Sequence, residues 1–147
     1  MMGIEPNPLE LAARALQHRD RSAREIDERL ARAGLGDDAR AEALGTLERI
    51  GYVDDARFAA ARADALAARG HGDAGIRHDL ERHGVPAEVI EDVTTRLEPE
   101  SERARAIAER HGRSTRTARR LAARGFGEEA IEAALGGDVA AGGPEFL

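Results

Sequence analysis

The chain has 147 residues with 22 basic against 28 acidic side chains, a net charge of −6, which excludes a protein that coats free nucleic acid by bulk electrostatics. Cysteine is absent and aromatics make up 3%, which excludes disulfides, zinc–thiolate sites, thiol catalysis and an aromatic core. The abundance of Ala, Glu, Arg and Leu, all strong helix formers, points to close-packed helices. Every Lys-or-Arg position is arginine, which we attribute to genomic base composition. No apolar run approaches the roughly 20 residues of a membrane helix. Met1–Glu10 has no basic stretch followed by an apolar one, so no secretory signal is expected and the expected location is the cytoplasm.

In chain order, a first helix is expected over about 8–19, with Leu9, Ala12, Ala15 and Leu16 on one face. Ser22 with Glu25 forms a capping box that opens a second helix, which ends at Gly34. Asp37-Asp38 opens a third. Asp54-Asp55 opens a fourth, carrying Phe58, Ala59, Arg62 and Leu66 and ending at Gly70. A fifth helix ends at Gly84, and Pro86 suits the first turn of a sixth. A seventh runs from about Glu100 to His111, with Ala104, Ile107 and Ala108 inside, and stops at Gly112. An eighth ends at Gly125, and Glu128-Glu129 opens a ninth. Residues 137–147 read as a flexible tail.

Three segments of this string repeat. Each has a Leu four residues before a Gly: Leu30 before Gly34, Leu80 before Gly84, Leu121 before Gly125. Each Gly is followed at once by an apolar residue, Leu35, Val85 or Phe126. A glycine in this place takes the left-handed conformation that closes a helix, and the next apolar residue folds back onto the helix just ended. The units are expected at 1–51, 52–99 and 100–136, with Leu30, Leu80 and Leu121 as equivalent core positions. The acid and arginine counts differ between thirds: −2 for residues 1–51, −5 for 52–100 and +1 for 101–147. From Arg103 to Arg124 there are eight arginines and one acid, Glu109.

The segment Gly51–Ala59, GYVDDARFA, resembles the Gly-Tyr-x-Asp-Asp-x-x-Phe-Ala signature of the RecX family. Arg69-Gly70-His71-Gly72 with Ile76-Arg77, and Arg124-Gly125-Phe126, resemble further segments of that family, and the likeness covers about residues 9–135. The resemblance implies an all-α fold, three tandem three-helix repeats in an elongated, curved array. It also implies a regulator of the RecA recombinase that lies in the groove of the RecA–DNA filament and inhibits strand exchange and ATPase activity, and so acts in DNA recombination, repair and the SOS response. Such a protein is not an enzyme and needs no cofactor; we expect a monomer. The chain departs from the family at Asp73, where Pro is common, and at Gly75, where a basic residue is common, which leaves the middle unit without a strong positive face.

Gly70-His71-Gly72-Asp73-Ala74-Gly75 matches the G-x-G-x-x-G pattern of dinucleotide sites, but the preceding ARADALAAR is helical, and that motif works only after a strand. It reads as a helix–helix connector. His18, His71, His78, His83 and His111 are scattered; His78 and His83 stand five apart, about 140° around a helix, so no metal site is expected. Asp54 and Asp55, adjacent at a helix start, point apart and cap N–H groups instead of forming a carboxylate pair. Tyr52 reads as a packing residue at the unit junction. The remaining signal is arginine. Arg116, Arg120 and Arg124 recur every fourth residue on the eighth helix, with Arg113 and Arg119 nearby, and few acids lie close enough in sequence to pair with them. These five are the candidate contacts to a DNA phosphate backbone or an acidic protein patch. The alternatives are a helical module that binds DNA directly and a non-catalytic helical scaffold for another protein.

Overall fold

The computed structural model describes residues 7–136, and it is all-α. In chain order the helices are α1 (Pro8–His18), α2 (Ala23–Arg32), α3 (Asp37–Arg49), α4 (Asp55–Ala68), α5 (Asp73–Arg82), α6 (Ala87–Thr95), α7 (Glu100–His111), α8 (Thr115–Ala123) and α9 (Glu128–Ile131). The last continues as a π-helical turn, Glu132–Gly136. No strand occurs among the described residues. The expected tail, 137–147, lies outside them.

The helix starts follow the capping chemistry in the sequence. Ser22 and Glu25 make a reciprocal capping box, and Ser114 and Asp54 each accept a backbone N–H of the third residue of their helix. Asp55 points away from Asp54 and accepts the N–H of Ala23 at 2.9 Å, so it caps α2 from another helix.

The helix ends repeat one device. Gly34, Gly84 and Gly125 have φ of +97°, +80° and +92°, and the next N–H returns to the carbonyl of Leu30, Leu80 or Leu121 at 3.0–3.2 Å. That is the six-to-one bond of a Schellman motif. The same leucine supplies the core side chain: Leu30 and Leu80 are fully buried and Leu121 nearly so. Val85 and Phe126 are buried after their glycines, while Leu35 is only half-buried.

Three separate apolar clusters result. Ala12, Ala15, Ile26, Leu30, Leu47 and Val53 mark the one built by α1–α3. Phe58, Leu66, Ile76, Leu80, Ile90 and Val93 mark the one built by α4–α6. Ala104, Ala108, Leu121, Phe126, Ala130 and Ala134 form the third, built by α7–α9 and the π-helical turn. Leu9 does not face its cluster as expected but is 42% exposed. The buried stripe of α1 runs through Ala12 and Ala15 with Leu11 and Leu16 at its edges, and Leu9 falls outside it in the first turn of the helix.

Within the middle cluster, Arg62 grips Asp79 with two hydrogen bonds, of 2.6 and 2.8 Å. The Arg62 guanidinium holds the Asp79 carboxyl below the usual carboxylate range. A group whose pKa is depressed in the folded state stabilises the fold above its unfolded pKa of about 3.9, and that contribution fades as the pH falls toward the folded value. Asp79→Asn is therefore expected to cost about 1.5–3 kcal/mol at pH 7 and less below pH 4. Urea unfolding at both pH values measures this, and an equal cost at both would show that the ion pair contributes nothing.

Candidate functional site

The three units meet at two joints of the same kind. In each, the N-terminus of one unit's second helix is seated on the turn that ends the second helix of the next unit. At the first joint the Ser22 hydroxyl donates to the His83 carbonyl at 2.5 Å, and the Arg24 guanidinium donates to the Arg82 carbonyl. At the second, the N–H groups of Gly72 and Ala74 donate to the carbonyls of Arg124 and Gly125 at 2.8 and 3.1 Å. The contact is backbone on backbone: a Cβ on Gly72 would lie 2.5 Å from Gly125, and one on Gly75 would lie 2.7 Å from the Arg124 carbonyl oxygen. The glycine-rich stretch is thus a helix connector pressed against the next unit, and only glycine fits at position 75. Glu100 accepts the Asp73 N–H at 2.7 Å and completes the joint.

Arginine sits on both sides of this second joint, in two roles. Arg103 is buried and turned inward: it donates to the carbonyls of Glu98 and His71 at 2.8 and 2.9 Å, pairs with Asp73, and lies 5.9 Å from the Phe126 ring centre. It ties unit to unit, and although it also reaches the groove wall its guanidinium is committed to these contacts. Above it, α4, α7, α8 and the segment before α7 enclose an open groove of about 530 Å³. Arg69, Arg110, Arg120 and Arg124 line it over a floor that includes Ala67, Leu97 and Ile107, with Asp64 and Glu98 as the acids present.

The five arginines singled out in the sequence divide accordingly. Arg120 and Arg124 face the groove, and Arg124 also donates to the Arg69 carbonyl at 2.8 Å across the joint. Arg116 and Arg119 are exposed on α8 outside the groove, and Arg113 donates to the Ala134 carbonyl at 3.2 Å. Among the described residues, Arg116, Arg119 and Arg120 have no carboxylate within ion-pair distance, and neither do Arg69 and Arg110. In the middle unit, by contrast, Arg62, Arg77, Arg82 and Arg96 are each paired with an acid. Unneutralised cations around a concave, low-dielectric wall focus a positive potential there.

Sequence reasoning did not find Arg69 and Arg110 as groove residues. Arg69 stands in the Arg-Gly-His-Gly segment, but only the joint brings it opposite α8. Tyr52, expected to pack at the junction, is instead 55% exposed beside the exposed Ile50. Arg57 holds that turn by donating to the carbonyls of Gly51 and Tyr52 at 2.9 and 3.2 Å, so the turn needs no ring packed beneath it. Among the described residues no three His, Asp or Glu side chains converge to hold a metal ion, and no helix is long and apolar enough to cross a membrane.

The family model described as "RecX, second three-helix domain" matches residues 54–93, which take in α4, α5 and most of α6. The chain is 34% identical over 125 residues to the regulatory protein RecX of Xanthomonas oryzae pv. oryzae, covering 85% of this chain and 70% of that one. It is 32% identical over 139 residues to the regulatory protein RecX of Acidithiobacillus ferrooxidans, covering 88% and 89%. Its fold superposes on the crystal structure of RecX from Lactobacillus salivarius with a TM-score of 0.78 at 16% identity, covering 88% of this chain and 93% of that one.

Proposed function

Because this chain belongs to the RecX family of regulatory proteins, we propose that it binds the RecA–DNA filament and inhibits the RecA recombinase, and so tempers recombination, DNA repair and the SOS response. It acts in the cytoplasm through three units, 1–51, 52–99 and 100–136, is a monomer in dilute solution, and has no chemistry of its own. The observation that carries this reading is the set of unneutralised arginines on α7, α8 and the end of α4. They suit contacts to acidic RecA side chains or to the DNA phosphates the filament leaves accessible.

Titrating the protein into RecA hydrolysing ATP on single-stranded DNA is expected to slow hydrolysis. A rate that stays unchanged up to a large excess of this protein would refute the reading. The second reading, direct binding to free DNA, draws on the same arginines. The net charge of −6 and the absence of Phe, Tyr or Trp from the groove lining weigh against it. If it holds, binding to naked DNA without RecA dominates and falls steeply with salt.

A further inference from the structure

We propose that the N-terminus of α8 and the turn that ends α2 are the two open halves of a third joint, which links copies of this chain head to tail. The first internal joint shows what each half must carry. The donating half is Arg21-Ser22-Ala23-Arg24. There Ser22 accepts the Glu25 N–H and donates to the His83 carbonyl, Arg24 donates to the Arg82 carbonyl, and Arg21 turns back to the Ala15 carbonyl of its own unit at 3.0 Å.

Residues 113–116 are Arg113-Ser114-Thr115-Arg116, the same pattern at the same place on α8. Ser114 accepts the Thr117 N–H at 3.2 Å as Ser22 accepts that of Glu25, and Arg113 likewise donates to a carbonyl of its own unit. Ser114 and Arg116 are exposed, and among the described residues Arg116 has no partner. Among the described residues, nothing is seated on Ser114 and Arg116.

The accepting half repeats as well. Leu80-Glu81-Arg82-His83-Gly84 receives α2, and Leu30-Ala31-Arg32-Ala33-Gly34 is its counterpart, with arginine at the same position. The backbone matches: Ala33 and His83 have φ near −80° and ψ of 0°, and both glycines have positive φ. Their surroundings do not match. A Cβ on Gly84 would lie 2.4 Å from Arg24, and one on Gly125 would lie 2.3 Å from the Gly75 nitrogen. A Cβ on Gly34 would meet nothing within 4 Å among the described residues beyond its chain neighbours. Arg32 presents no charge obstacle, because at the inner joint Arg24 already docks on the carbonyl of an arginine. The arginine donors meet the exposed carbonyls of a helix C-terminus, which is the favourable sense for the helix dipole.

The occupant is therefore a second copy, seated by the contacts the chain uses within itself. Inside one chain the joint benefits from tethering; between copies it does not, so the association is weak in dilute solution and grows where copies are crowded. A contact between two different patches of this kind propagates as a row.

The absence of cysteine gives a direct test on the full chain alone. The variant Ala33→Cys with Thr115→Cys, which keeps Ser114 and Arg116, is treated with a short bismaleimide crosslinker and compared with Ala60→Cys with Thr115→Cys, which places the first thiol on the exposed side of α4. The expected result is a ladder of covalent multimers, at least about tenfold more abundant than from the off-register pair. Arg116→Glu is expected to reduce that ladder to the off-register level. Arg32→Cys, also exposed, replaces Ala33→Cys if the latter loses helical circular dichroism. Equal yields from the matched and off-register pairs would overturn the proposal, and so would a ladder that survives Arg116→Glu undiminished. RecA plays no part in this test, so its failure leaves the proposed function standing.

Discussion

Reversal of Arg110, Arg119 and Arg120 to glutamate is expected to raise the concentration needed for half-inhibition of RecA ATPase by about 100-fold or more at low salt, with the helical content unchanged. Each lost charge-assisted contact is worth about 1.5–3 kcal/mol, and three together exceed the roughly 2.7 kcal/mol of a hundredfold change. All three residues are exposed and unpaired among the described residues, so their substitution costs the fold little. Arg124 is left in place because it spans the joint to the Arg69 carbonyl, and its loss would confound binding with assembly of the units. The control must make the same charge change elsewhere. Arg62 is unsuitable, since it holds Asp79, whereas Arg14, Arg29 and Arg49 are exposed on the first unit. Reversing those three is expected to leave inhibition within a few-fold of wild type. Equal potency for wild type and the α7–α8 variant would show that these arginines form only a solvated face, and that the filament contacts lie elsewhere.

Replacing Leu80 with alanine is expected to cost about 2–5 kcal/mol in urea unfolding. Leu80 is fully buried in the middle cluster, which also holds Phe58, Ile76 and Val85. Its backbone carbonyl also closes the turn at Gly84, but that bond survives truncation of the side chain, so the loss reports packing alone. Against a typical stability of 5–15 kcal/mol this is a large fraction. The middle unit holds both joints, so its loosening should be felt by the whole chain in a single cooperative transition. A cost near zero would mean that Leu80 is not the keystone of its unit.

Much of the fold was legible because its signals are local. A capping box at Ser22 and Glu25, and a leucine four residues before a glycine that is followed by an apolar residue, each specify geometry within about one helical turn. The backbone then adopts it whatever the rest of the chain does. That is why, among the described residues, nine helices, three equivalent leucines and an all-α class follow from residue order. Periodicity served less well at a helix end: Leu9 has the right spacing, but the face it lies on runs past the cluster.

The arginines show where local reasoning ends. Spacing of four places Arg116, Arg120 and Arg124 on one stripe of α8, and the structure keeps them there, yet it gives them different work. Arg103, from the same basic run, is buried under the joint, and Arg69 enters the groove from a helix some fifty residues earlier. These outcomes depend on how closely two units approach. That approach depends on Gly72, Gly75 and Gly125 meeting backbone to backbone, a contact between residues about fifty positions apart that no window along the chain contains. By itself the sequence determined the helices, their caps and the repeat. Which cations stay free to meet a partner was decided only when the units were pressed together, because burial and pairing are properties of the joint between units.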